Sequence, residues 1–305
     1  MRACRDAGIS VRVISARTTD DARTALARAR PRIVIVDSIA IPIAAPLVTW
    51  MHRVLEARVI ALMLMPSSAR GTRTVLRGAD RVVALSDHLA RALVRIGVRR
   101  SSVSVIPPGR DGVERARRRV AANGQLRALA VANWSPAKGI ATLVAAVAQV
   151  PEVRLDLVGD VGRGAFADAI VARIRANGLG NRVVVHGALA GRALARRYAD
   201  ADVFVLPTER EGYGIVFAEA LDQGLPVIAA DAGPVPDIVR GAGLLVPPRR
   251  VRPLADALRV MRDRRVRSRL AYAARKRARD LPSWSATGAA FVALIRDVMR
   301  SSVSG

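Results

Sequence analysis

Residues 203–224 read VFVLPTEREGYGIVFAEALDQG. The run Val203–Leu206 is short and apolar on both faces, as a strand covered from both sides should be. It ends at Pro207. A loop holding Glu211-Gly-Tyr-Gly follows, and helix-forming sequence begins at about Gly214. A buried strand, a loop and a helix in succession make one β-α unit, and the rest of the chain repeats that unit.

Working outward, short runs rich in β-branched residues recur: SVRVIS, RIVIVDS, RVIALML, RVVALS and SVSVIPP, then RALAVA, VRLDLVG, RVVVHG, PVIAAD and GLLVPP. Between many of them lie Ala/Leu/Arg segments at helical spacing, such as DDARTALARAR and AFADAIVARIRANG, where Gly178 is a natural stop. Alternation of this kind predicts parallel sheets covered by helices. The pattern pauses at PPGRDGVERARRRVAANGQ, residues 107–125, whose prolines, glycines and charges mark a domain boundary. The basic stretch ERARRR within it reads as a solvated linker face or a phosphate- or membrane-binding patch. The expected division is 1–122, 123–285 and a final helical segment 286–305 that returns to the first domain. After residue 250 only helix-forming sequence remains. At the other end, RACRDAG reads as the last turns of a helix closed by Gly8, with SVRVIS as the first strand. The strand and Gly-containing loop that normally open a Rossmann-like domain are not seen ahead of it.

Composition narrows the function classes. The chain has 305 residues and is 51% hydrophobic, ample for a core, but only 3% aromatic. Its formal net charge is +25, although Lys138 and Lys276 are the only lysines. So strong an arginine preference reads as a compositional bias, yet the charge still favours anionic partners such as nucleotides or acidic lipid surfaces. The single cysteine, Cys4, excludes an intrachain disulfide framework and fits a reducing compartment. Arg2, Arg5, Asp6 and Arg12 interrupt any signal-peptide core, and the most apolar stretch is broken by His52, Arg53, Glu56 and Arg58. The expected setting is cytoplasmic, and the charge admits peripheral contact with an anionic membrane. No nucleic acid is expected.

Glu211 and Glu219 stand out as acids in a basic chain. In an open α/β sheet, ligands sit outside the carboxyl ends of the strands, where this loop falls. The helix start offers free N–H groups and partial positive charge to a phosphate. Gly212 and Gly214 allow close backbone approach. Glu219, one to two turns into the helix, is placed to accept from ribose or sugar hydroxyls, and Glu211 from those of another ring. Taken singly, the same two glutamates also read as a solvated loop residue and a surface helix residue.

The run from Ala201 to Val239, ADVFVLPTEREGYGIVFAEALDQGLPVIAADAGPVPDIV, resembles the signature of the family 4 retaining glycosyltransferases of GT-B architecture. That signature has a Glu-x7-Glu pair, a small-Gly-x-Pro-Val strand and a Gly-Gly-x-Pro-Glu turn. SVIPPGRD, VANWSPAKGI, LDLVGD, RVVVHGAL and GAGLLVPP match in the family's order, so the resemblance covers roughly residues 80–250. It implies an α/β fold with two Rossmann-like domains facing a cleft, and transfer of a sugar from a nucleotide-diphosphate sugar to a glycan, lipid or small-molecule acceptor. It implies retention of configuration, with no metal and no cofactor beyond the donor. Under it, Glu211 and Lys138 are the catalytic pair, Glu211 on donor-sugar hydroxyls and Lys138 on the diphosphate. Asn133, Gly212, Tyr213, Gly214 and Ile215 line the donor phosphates, Glu219 holds the ribose, and main-chain groups near His186 and Gly187 lie by the base.

The chain departs from the family at several points. Ala132-Asn133 stands where the family has Gly-Arg, which removes a cation. Leu64-Met65-Pro66 stands where relatives place histidines, and Pro234 replaces the second Gly of the turn. A degenerate scaffold that binds nucleotide or a partner without transfer is therefore the alternative. Asp200-Ala201-Asp202 mimics a metal-binding Asp-x-Asp but precedes a strand, so it reads as structural. The glycines of GDVGRGAF lack dinucleotide spacing and read as a turn.

Overall fold

The computed structural model describes residues 2–114 and 124–300. Ten parallel strands occur among them: β1 Ile33–Asp37, β2 Arg58–Met63, β3 Arg81–Ala84, β4 Val103–Val105, β5 Leu126–Val131, β6 Val153–Val158, β7 Val183–Gly187, β8 Val203–Leu206, β9 Val227–Ala230 and β10 Gly243–Val246. Each coincides with one of the apolar runs. SVRVIS is the exception. Residues 9–16 take no regular structure, and Val11 and Val13 are 41% and 68% exposed. An alternating run becomes a strand only with a ladder neighbour, and here the first sheet begins at β1.

The chain forms two compact units, one ending at Gly109 and resumed from Pro282, the other Arg110–Leu281. The first limit falls at Gly109 rather than at 122/123, and tertiary bonds explain why. The Arg110 guanidinium pairs with Asp222 at 2.5 Å and donates to the Leu281 carbonyl, while Gln223 donates to the Val113 carbonyl. Arg110 onward is thus tied to the second unit despite its loop-like sequence. Apart from Glu114, the ERARRR stretch lies outside the described residues. The second limit, Leu281/Pro282, precedes the expected 285/286. Thr287 donates to the Pro107 carbonyl and Gly109 packs on the backbone at Trp284, so the final helix, Trp284–Arg300, belongs with the first unit.

In the first unit the sheet order is β1-β2-β3-β4. Alternate residues of one strand point to opposite faces. Val59, Ala61 and Met63 join a core with Leu26, Val48, Met51, Val75, Leu89 and Leu93. Ile60, Val83 and Ile106 face the other way and are covered by Leu294, Ile295 and Val298 of the final helix.

In the second unit the order is β10-β9-β8-β5-β6-β7. From the central β5 the chain runs outward to β6 and β7, then crosses back to place β8 on the opposite side of β5. Between β5 and β8 the direction of winding reverses, and in open α/β sheets such a reversal opens the ligand crevice at the strands' carboxyl ends. Val203–Leu206 and Val227–Ala230 are buried throughout, as central strands covered by helices should be. The Ala165–Ala176 helix stops as expected: Gly178 takes φ 62° and its N–H bonds the Arg175 carbonyl.

Candidate functional site

The loops after β5 and β8 flank this reversal, and main-chain bonds stitch them together. The Glu209 N–H and the Thr208 hydroxyl both donate to the Ala137 carbonyl, at 2.8 and 3.2 Å. Gly139 fixes the approach. It takes φ 70°, and the Pro207 carbonyl occupies the space a Cβ would need. Only glycine lets the two loops come this close. Lys138 closes a short 3-10 turn, Pro136–Lys138, and its Nζ meets Glu211 Oε1 at 2.5 Å. The two side chains are only 26% and 11% exposed. A cation and a carboxylate from residues 73 apart are therefore fixed side by side at the switch point.

Beyond Glu211, Gly214 adopts φ 99° at the N-cap and starts the Ile215–Asp222 helix without a side-chain cap. The first N–H groups of a helix lack an α-helical acceptor; that of Phe217 turns back to the Gly214 carbonyl at 3.0 Å, and those ahead of it can serve an anion. Glu219 lies on this helix, half-buried, and Oε2 accepts from the Tyr198 hydroxyl at 3.0 Å. Burial raises the Glu219 carboxyl above its ordinary value, and the bond from Tyr198 pulls it back down. The Tyr198 hydroxyl is raised well above its ordinary value by burial and then by the Glu219 charge, so it stays protonated and donates.

Asn133, after β5, uses its side-chain oxygen to accept from the Asp160 N–H at 3.0 Å. That bond leaves the amide nitrogen of Asn133 as its remaining side-chain donor, a neutral one. Gly187 ends β7 at φ 69° with open space where a Cβ would lie, and its carbonyl accepts from the Gly159 N–H. His186 beside it bonds Asp156 at 2.5 Å. Gly212, Tyr213 and Ile215 lie in the loop and at the helix start, but the Tyr213 ring turns inward and is 7% exposed.

Lys138, Glu211 and the Ile215–Asp222 helix start thus share one end of the sheet, with Asn133 after the adjoining strand. The Asp-x-Asp lookalike is spent on packing: Asp202 accepts from the Arg127 N–H and guanidinium, and Asp200 pairs with Arg197. The sequence reading missed Tyr198, which precedes β8 on the Gly191–Asp200 helix, and missed the Arg249–Glu209 pair at 2.6 Å. A tyrosine five residues ahead of a buried strand, in a chain with three tyrosines in all, was the available signal for the first.

A winding reversal flanked by a helix N-terminus, a cation and two carboxylates is the arrangement by which α/β proteins hold phosphorylated, hydroxyl-bearing ligands. Comparison with known proteins gives the family. The chain belongs to the "Glycosyl transferases group 1" family, which residues 113–277 match, and residues 14–112 match "Glycosyltransferase Family 4". The fold is of the GT-B type, with two parallel-sheet α/β units. The Anabaena HepE structure solved with UDP and glucose aligns over 97% of this chain and 88% of its own, at TM-score 0.79 and 20% identity. The D-inositol 3-phosphate glycosyltransferase of Kineococcus radiotolerans is 32% identical over 82% of this chain and 66% of its own length. A Mycobacterium tuberculosis GDP-mannose-dependent phosphatidylinositol monomannoside mannosyltransferase is 31% identical over 67% of this chain and 58% of its own. The chain spans between 27% and 66% of the first curated relatives it matches.

Proposed function

We propose that this protein is a retaining glycosyltransferase that moves a sugar from a nucleotide-diphosphate sugar to an acceptor hydroxyl. The observation that carries the reading is the Lys138–Glu211 pair at the switch point beside an uncapped helix start. In this reading the acceptor oxygen bonds to the anomeric carbon on the face from which the nucleoside diphosphate leaves. The carbon–oxygen bond to phosphate breaks, and the acceptor proton passes to a departing phosphate oxygen. Lys138 and the N–H groups at Ile215 stabilise the charge growing on the leaving group. Glu211 exchanges part of its bond with Lys138 for donor-sugar hydroxyls, and Glu219 accepts from the ribose.

Charge on the leaving group is met by the chain's own groups, so we expect no metal requirement. Sugar release from UDP-, GDP- or ADP-sugars should persist in EDTA and fall at least a hundredfold in Lys138→Ala. Nucleotide binding without turnover for any donor and acceptor would favour the degenerate-scaffold alternative.

A second element of the reading is contact with an anionic bilayer. Among the described residues no helix is long and apolar enough to cross a membrane. The Arg264–Asp280 helix, however, turns Arg265, Arg269, Lys276 and Arg279 outward around Tyr272, which is 69% exposed. Arginines in its first turn oppose the helix dipole, and like charges four apart repel, so the pattern costs the helix stability. An anionic surface would offset that cost. The protein should cosediment with phosphatidylglycerol vesicles and not with phosphatidylcholine vesicles. Arg269→Glu/Lys276→Glu should abolish this, and vesicle binding unchanged in that variant would discard the helix as the contact.

A further inference from the structure

We infer that Tyr198 is a positioning residue for Glu219, a role that rests on the donor-site reading above. Tyr198 is 1% exposed on the Gly191–Asp200 helix, before β8, and does not face ligand space. Its ring stacks on Phe204 of β8, with centroids 6.1 Å apart, and Phe204 meets Phe217 edge-on at 5.6 Å. Phe217 lies two residues ahead of Glu219 on the Ile215–Asp222 helix. In a chain only 3% aromatic, three of the rings lock two helices and a central strand together at this one point. The ring therefore has one position, and so does its hydroxyl.

That hydroxyl donates to Glu219 Oε2. Glu219 itself is half-buried, and no other hydrogen bond ties its carboxylate to a described residue. The geometry divides the carboxylate. Oε2 is anchored by Tyr198, which fixes the rotamer, and Oε1 is left to accept from a ligand hydroxyl. A vicinal diol such as the ribose 2′,3′ pair is the ligand chemistry that uses such an acceptor. Burial raises the Glu219 carboxyl, and donation from Tyr198 favours the ionised form against that burial.

The test uses the full chain, the nucleoside diphosphate among UDP, GDP, ADP and CDP that stabilises it, and the 2′,3′-dideoxy form of that nucleotide. Tyr198→Phe keeps the ring stack and removes only the hydroxyl. It should weaken binding of the ribose nucleotide about tenfold, the scale of a hydrogen bond to a charged group, and leave the dideoxy form unchanged. The pH at which affinity falls on acidification should also move upward in this variant. In Glu219→Gln that acid limb should vanish, a readout that holds even if Tyr198→Phe folds poorly. An equal loss for both nucleotides, an unshifted pH profile, or an acid limb surviving in Glu219→Gln would overturn the role of Tyr198. If no nucleotide binds the wild type, the donor-site reading itself fails and this role falls with it.

Discussion

Tyr213 holds the only buried side-chain polar atom among the described residues that finds no partner, its hydroxyl. Burial raises that hydroxyl's pKa, and the charge of Arg277 lowers it in part. A buried donor without an acceptor costs about 1–3 kcal/mol, whereas a phenylalanine of the same shape costs nothing of the kind. Tyr213→Phe should therefore raise stability by about 1 kcal/mol in urea unfolding with an unchanged slope, and a loss of stability would mean that the hydroxyl has a partner in solution. Glu219 makes the complementary case. Its folded-state pKa is raised, so the folded state favours the protonated form. The associated stability is fully present below the unfolded value, about 4.3, and is lost as pH rises through the higher folded value. Glu219→Gln cannot ionise, so its melting temperature relative to wild type should climb between pH 4 and pH 7. A difference that stays flat across that range would show that Glu219 is not held as the structure has it.

At the scale of elements, the site depends on two β-α loops brought together by strand order. Lys138 and Glu211 are the direct link, and each would leave a largely buried charge unpaired if the other were removed. Lys138→Ala and Glu211→Ala should each cost about 2 kcal/mol, and the double variant less than their sum, leaving a coupling of about 1–2 kcal/mol in a double-mutant cycle. Strict additivity would mean the pair contributes no mutual energy. Much of this was legible in the sequence. Strands buried on both faces announce themselves as short apolar runs, so β8, its loop and the helix after it were readable from Val203 to Gly224. What could not be read is who stands beside whom. The Lys138–Glu211 pair depends on β5 and β8 being neighbours, which no local run of residues encodes, and the Tyr198–Glu219 bond depends on how two helices pack over β8. SVRVIS differs too: its composition suits a strand, yet residues 9–16 pair with no strand of the sheet.

At the scale of the whole molecule, the chain leaves its first unit at Gly109 and comes back at Pro282. The returning Trp284–Arg300 helix does more than end the chain. Leu294, Ile295 and Val298 cover Ile60, Val83 and Ile106 on one face of the first sheet, and Asp297 pairs with Arg81 at 3.1 Å. The punctuated stretch 107–125 contains the limit at Gly109, and Arg110, whose partners are more than a hundred residues away, ties the chain beyond it to the second unit. Ending the chain after Leu281 would leave Ile60, Val83 and Ile106 facing water. Exposing each fully buried aliphatic side chain costs about 2 kcal/mol, so the three together approach the 5–15 kcal/mol that holds an ordinary domain folded. The second unit keeps its own six-stranded sheet and every residue of the candidate site. Calorimetry on the shortened chain should accordingly show the first unit's transition lost or strongly lowered. The remaining transition should still shift upward with a saturating nucleoside diphosphate, by an amount matching about 2.7 kcal/mol at a hundred times Kd. If both transitions survive the truncation, the sheet's second face does not depend on the returning helix. If the nucleotide shift disappears with it, the site needs more of the chain than the second unit contains.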